Sequence, residues 1–311
     1  MLIACGDALI DFVPTRNAEG REAVMPAVGG SCLNVAIGIA RLGAPTGFVG
    51  GISTDMFGQM IAGHATASNV ELGLATRSDH QTTLAFVRIV AGESHYAFYD
   101  AETATGNWTY RRGMVPFETV MAVHVGSTTL VNDKGAAETK ALIADARATS
   151  TISFDPNCRP NLVKDKPAYL VRMAEFAASA DLIKMSDVDF NYLFGDEPHQ
   201  QRASVLLGQG TSLVVITRGN NGAMAWHTKA GQIEVAAPKV EVVDTIGAGD
   251  SFQAALLFAL YKQGRLAREK LRDIGADELR RALSFAANCA GLTCTRPGAD
   301  PPWSREATWS W

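Results

Sequence analysis

The 311-residue chain is 47% hydrophobic and 19% charged, with 28 basic residues against 32 acidic ones and a net charge of −4. Such a chain can build a globular core, and without a basic block duplex nucleic acid is not expected as a partner. The five cysteines form no CxxC pair and read as reduced thiols, no apolar run approaches the ~18 residues of a membrane span, and the N-terminus lacks the basic start of a signal peptide.

A cytoplasmic protein without membrane partners is therefore expected, with one domain over residues 1–311. In chain order, residues 2–5 read as a first strand running into a turn at Gly6-Asp7. Short apolar runs recur at 47–49, 122–125, 151–154, 182–184 and 213–216, with helical patterns at 34–42, 136–148, 169–178 and 201–207. Strands alternating with helices predict an α/β fold, its mostly parallel sheet covered on both faces and its ligand at the strand carboxyl ends. Two segments break the alternation. Residues 11–28 follow the first strand without a helix, and 82–99 read as strands at 83–90 and 95–99 around a turn at 91–94. Together they predict a small β-sheet lid, formed approximately by residues 11–28 and 82–110.

The most specific stretch is Asp244-Thr245-Ile246-Gly247-Ala248-Gly249-Asp250, between a β-branched run at 240–243 and an apolar helical run from Ser251. The reading is a strand end, a small-residue turn and a helix start. Gly247 and Gly249 let consecutive N–H groups point at one anion, and the helix dipole adds to the same place. Asp250 then sits beside the anion as a candidate general base, a combination suited to phosphoryl transfer to a hydroxyl. A second motif, Gly29-Gly30-Ser31-Cys32-Leu33-Asn34, lets a ligand approach the backbone, and Asn34 offers both donor and acceptor to hydroxyls. No GxxxxGK[ST] phosphate loop occurs.

Residues 29–43 and 244–250 resemble the two signatures of the ribokinase-like (PfkB-type) carbohydrate kinases. Further matches are Gly6-Asp7-Ala8-Leu9-Ile10-Asp11, residues 51–58, Asp155-Pro156-Asn157-Cys158-Arg159, residues 216–222 and 286–290. The resemblance runs nearly end to end, and at 97–100, 155–159 and 293–299 it is nearest to bacterial fructokinases. It implies a three-layer α/β/α domain. Asp250 would be the base, and Gly247, Ala248 and Gly249 with the Asp250 amide would hold the transferring phosphate. Asp11, Gly29, Gly30 and Asn34 would bind sugar hydroxyls, and Arg159 would lie near substrate and phosphate. Lys184, Thr217, Gly219, Gly222 and Gly249 would line the nucleotide site, with Asn288 near the adenine. ATP and Mg2+ are implied, potassium is known among relatives, and a homodimer through the lid is a further expectation.

The chain departs from the family at the usual Asn-x-x-Glu or Ser-x-x-Glu, which here is Ser186-Asp187-Val188-Asp189. Asp189 either orients a magnesium-bound water or serves as a helix-start carboxylate. Arg88, Tyr96 and Tyr99 on the lid either face sugar or only support strand pairing. His124 reads as a satisfied core histidine, His64, His95, His199 and His227 show no metal-ligand spacing, and Trp303, Trp309 and Trp311 read as packing against the domain. The expected activity is ATP-dependent phosphorylation of a sugar, first D-fructose to fructose 6-phosphate, then 2-keto-3-deoxygluconate, then ribose or a nucleoside. A nicotinamide-dependent dehydrogenase would need GxGxxG after the first strand, which is missing. A non-catalytic sugar sensor fits poorly with a chain that keeps Asp250 and the anion hole.

Overall fold

The structure is a computed structural model and describes residues 1–90 and 93–307. Ala91 and Gly92 of the expected turn, with Trp309 and Trp311, lie outside the described residues. The main sheet runs β15-β14-β13-β12-β11-β10-β1-β4-β6. Its strands are β1 (Leu2–Cys5), β4 (Thr46–Val49), β6 (Val70–Glu71), β10 (Ala122–Gly126), β11 (Thr151–Asp155), β12 (Leu182–Ser186), β13 (Leu213–Thr217), β14 (Ala223–His227) and β15 (Gly231–Val235). Pairing is parallel from β6 to β13, and β14 and β15 close one edge antiparallel. Strands β5 (Gly51–Ser53) and β7 (Thr76–Ser78) pair separately.

Each buried strand sends alternate side chains to opposite layers. Leu2, Ala122, Leu182 and Leu213 pack with α1 (Ser31–Arg41), α7 (Ala248–Lys262) and α9 (Ala276–Cys294). Their neighbours Ile3, Val123, Ile183 and Val214 pack on the other side with α3 (Asp133–Ala146), α4 (Lys166–Ser179), α5 (Asp187–Phe194) and α6 (His199–Gly208). The result is three layers. Helices α2 (Met56–Ala67) and α8 (Arg268–Arg272) complete the set among the described residues.

The chain begins in the middle of the sheet. From β1 it builds outward through β4 and β6, then returns to the other side of β1 with β10. The reversal between β1 and β10 opens a crevice at their carboxyl ends. A second sheet, β3-β2-β8-β9, follows β1 closely in sequence: β2 (Leu9–Arg16), β3 (Glu22–Gly29), β8 (Thr83–Val90) and β9 (Glu93–Tyr99). It is two antiparallel hairpins joined by the parallel pair β2–β8.

Three expectations need correction. Residues 240–243 form no strand: the sheet edge is occupied by β15, Val243 N donates instead to Cys294 O, and Val242 and Val243 stand 51% and 61% exposed. Residues 100–110 add no strand to the small sheet. Thr105 Oγ1 donates to Ala8 O at 2.9 Å, and Trp108 is buried in the main core. Glu93 and Ser94, expected in the turn, belong to β9.

Candidate active site

Helix α7 starts where Gly247 takes φ 74°, a left-handed conformation that a side chain resists, and a Cβ there would lie 2.6 Å from Ala299. The helix thus begins at Ala248, three residues before the expected Ser251. The first N–H groups of a helix have no acceptor within it. The Ala248 N–H reaches Thr245 O and that of Ser251 closes the first turn on Gly247 O, leaving Gly249 and Asp250 to present theirs outward. A Cβ on Gly249 would sit 3.0 Å from Lys184 Nζ.

Asp250, in that first turn, is 7% exposed. Its Oδ1 accepts hydrogen bonds from Ser31 Oγ (2.7 Å) and Asn157 Nδ2 (3.3 Å), and its Oδ2 accepts one from Asn34 Nδ2 (2.9 Å). Burial raises the Asp250 carboxyl above its usual range, opposed by the bonds from Asn34 and Ser31 and by the charges of Lys184 and Arg159. Asn34 Oδ1 is buried without a partner among the described residues.

Asp250, Ser31, Asn34 and Gly247 line one cavity with Asp7, Asp11, Gly30, Tyr96, Ser127, Thr128 and Arg159. Gly30, at φ 103°, lets the start of α1 pass so close to Asp7 that a Cβ would meet Asp7 O at 2.6 Å. Gly29 lies against Asp11: its Cβ would sit 2.1 Å from Asp11 Oδ2. Burial raises Asp11 to about 7, with Arg159 pulling it down and Asp7 and Asp250 pushing it up. Arg159 Nη1 donates to Asn157 O and Cys158 O, and its guanidinium lies 5.7 Å from the Tyr96 ring centroid. Ser127, Thr128 and the Cys32 amide all donate to Asp7, which is 1% exposed.

Asp7, Ser31, Ser127, Thr128 and Asn157 had no role assigned from sequence. Asp7, Ser31 and Asn157 lie in sequence motifs, but their partners arrive from distant strands and helices.

Asp11 pairs with Ala85, and Ala85 with Phe98, so these share the cavity face of the second sheet along with Tyr96. Arg88 falls in the alternate row with Phe86, exposed on the opposite face, which removes it from the sugar side. Tyr99 shares that outer row and is 63% exposed. Lys184 is 3% exposed, and its ammonium bonds Asp155 Oδ2 at 2.8 Å behind Gly249. Burial opposes the Lys184 charge, yet the Asp155 carboxylate raises its pKa above the usual value.

Asp189 completes a capping box: Oδ2 accepts from the Ser186 amide and hydroxyl and Oδ1 from Cys158 N. Among the described residues no group of three His, Cys, Asp or Glu side chains could hold a metal ion. Thr217 ends β13, and Gly219 and Gly222 form the turn into β14. Gly222 is needed for packing as well, since its Cβ would meet Val235 O at 2.0 Å. Asn288 is exposed on α9. His124 is only half satisfied: Nδ1 lies 3.1 Å from Ser153 Oγ while the buried Nε2 has no partner among the described residues, and burial lowers its pKa to about 3. Trp303 packs beneath the Arg41 guanidinium, 5.1 Å from its ring centroid.

The model of the pfkB family of carbohydrate kinases matches residues 1–306. The chain belongs to that family. It is 36% identical to a fructokinase of Rhizobium leguminosarum bv. trifolii over 280 residues, covering 90% of this chain and 86% of that one. Among solved structures, fructokinase with bound ATP from Xylella fastidiosa superposes with a TM-score of 0.87 at 26% identity, over 96% of this chain and 93% of that one. A double-mutant fructokinase from Vibrio cholerae O395, bound to fructose, ADP and potassium ion, gives 0.83 at 26% identity, over 96% and 93% of the two chains. No helix among the described residues is long and apolar enough to cross a membrane.

Proposed function

We propose that this pfkB carbohydrate kinase transfers the γ-phosphoryl group of ATP to the 6-hydroxyl of D-fructose. The observation that carries the reading is that Gly247 and Asp250, at the start of α7, line one cavity with Asp11. Asp11 and Asn34 Oδ1 accept hydrogen bonds from sugar hydroxyls. Asp250 receives the proton of the attacking hydroxyl, and the amides of Gly249 and Asp250 stabilise the transferring phosphoryl oxygens. Arg159 adds positive charge at the same place.

Nucleotide would lie along the ends of β12 and β13, beside Thr217, Gly219 and Gly222, with Asn288 at the adenine. Lys184 contributes as a fixed charge behind Gly249. Mg2+, held by phosphate oxygens and water in the absence of an acidic cage, would neutralise phosphate charge, with Asp189 at most an outer partner. Potassium fits near Asp244, whose carboxylate ties the Ile246 amide to that of Gly298 beside the anion hole. The small sheet acts as the lid of a single kinase domain. Its outer face, with Phe86 and Tyr99 exposed, is the surface on which a second copy would pack. The cytoplasm is the proposed compartment.

Among the described residues lining the cavity, only Arg159 is cationic. If Arg159 serves the phosphoryl group, a sugar acid finds no second fixed cation, because Arg88 faces away. A neutral sugar is favoured. With MgATP and equal concentrations of D-fructose, 2-keto-3-deoxygluconate, ribose and adenosine, product mass should show fructose 6-phosphate dominating. Preferential phosphorylation of the sugar acid would move the assignment to that substrate. Asp250→Asn should lower kcat by at least ~10²–10⁴-fold in a folded protein.

A further inference from the structure

The loop after β11 holds Asn157 at φ 40°, a left-handed backbone that costs a residue with a Cβ. That conformation turns the side-chain amide toward the starts of α1 and α7. Its Nδ2 lies 2.9 Å from Ser31 Oγ and 3.3 Å from Asp250 Oδ1, and the Ser31 hydroxyl donates to the same Oδ1 at 2.7 Å. The geometry is a directed chain: Asn157 donates to Ser31, and Ser31 donates to Asp250. Oδ2 accepts only from Asn34 Nδ2 among the described residues, at 2.9 Å.

A carboxylate oxygen offers about two acceptor directions. Oδ1 has both committed, whereas Oδ2 keeps one open beside the cavity. We propose that Asn157 and Ser31 are positioning residues that hold Asp250 through Oδ1, so that Oδ2 is the atom that takes the sugar hydroxyl proton. In the step, the hydroxyl O–H bond breaks and its electron pair forms the new O–P bond. The proton passes to Oδ2, and the electrons of the broken P–O bond leave with ADP. This assignment rests on Asp250 being the base.

Two purposes for the left-handed Asn157 can be separated by experiment. Glycine adopts that backbone without cost but carries no amide. Asn157→Gly therefore keeps the turn and deletes the donor, while Asn157→Ala deletes the donor and adds strain. Ser31→Ala removes the middle of the chain without touching the turn. Charged and titratable groups facing Asp250 remain in all three variants: Lys184 on β12, Arg159 and Asp155 around the loop, Asp11 on β2, Cys32 on α1 and Tyr96 on β9. A change in the pH profile then belongs to the lost donors.

The measurement is kcat, fructose KM and the pH dependence of kcat at saturating fructose and MgATP, which reports the base in the substrate complex and not the free Asp11, beside thermal melting. Ser31→Ala and Asn157→Gly should lower kcat about 10- to 100-fold through misplacement of the base. Fructose KM should change less than about threefold, since an interaction made mainly in the transition state is lost. A carboxylate stripped of a donor holds its proton more tightly, so the acid limb should move up by about one pH unit. Asn157→Ala should melt below Asn157→Gly yet show the same limb. Wild-type kcat and limb in Asn157→Gly would mean that Asn157 serves only the turn and would overturn the proposal. So would a raised KM with an unmoved limb. Asp250→Asn runs alongside: if it turns over normally, the base assignment itself fails. If it is inactive while Ser31→Ala and Asn157→Gly behave as wild type, only the positioning proposal fails.

Discussion

The sugar contact proposed for Asp11 should make sugar binding dependent on pH. Burial, with Asp7 and Asp250 nearby and Arg159 opposing, places its carboxyl at about 7. Below that value it is neutral and is a weaker acceptor for hydroxyls. Fructose KM should therefore rise as pH falls through about 7, and Asp11→Asn should flatten the dependence. Stability moves the other way. Because the folded pKa is raised, the native state binds more protons than the unfolded chain between about 4 and about 7, so stability falls as pH rises through that window. Asp11→Asn should make that fall shallower in thermal melts, leaving the part that the buried carboxyls of Asp155, raised to about 6, and Asp250 contribute. A wild-type KM constant from about pH 6 to about pH 8 would show that Asp11 does not titrate where its burial demands. The sequence makes Asp250 readable because its helix start and small-residue turn are local. Ser31 was not readable as its partner, since 219 positions separate the two, and the Asn157 contact spans 93.

At the level of elements, apolar runs flanked by turns marked the central strands well, because burial on both faces leaves a continuous signature. Run 240–243 carries the same β-branched signal but stands exposed, since pairing depends on an available edge and not on propensity alone. Register was equally hidden. A slip of one residue would have put Arg88 on the cavity face of the small sheet, and only the observed pairs with β9 place it outside. Two substitutions in this sheet should therefore behave in opposite ways. Arg88→Ala should leave fructose KM unchanged. Gly29→Ala, whose Cβ would crowd Asp11 Oδ2 at 2.1 Å, should raise KM by about tenfold, the scale of one lost charge-assisted hydrogen bond. As the proposed lid, β2, β3, β8 and β9 should exchange amide hydrogens more slowly with sugar and nucleotide present. Identical exchange with and without both ligands would leave the sheet a static wall.

Across the whole molecule, one helix connects the Asp250 carboxylate to the segment around Pro301. α1 carries Ser31 and Asn34 at its start and Arg41 at its end. Arg41 is 7% exposed; it bonds Ser68 Oγ, Asp300 and Pro301 O, and its guanidinium lies over Trp303. The segment so anchored runs behind the anion hole. Gly298 N donates to Asp244 at 2.8 Å, and Ala299 packs where a Cβ on Gly247 would be. Removing the Arg41 charge therefore frees a segment that shapes the start of α7, besides leaving buried acceptors unpaired. Arg41→Met should cost about 1–3 kcal/mol and lower Tm by a few degrees. Asp300→Asn should cost less, because Asp300 is 42% exposed and water replaces part of its contact. Both should lower kcat more than they raise fructose KM, since Asp11 and Asn34 stay in place while the N–H groups of α7 shift. A variant of Arg41 with reduced Tm but unchanged kcat would show that the anion hole holds its shape without the clamp, with α7 set by its own packing against α9.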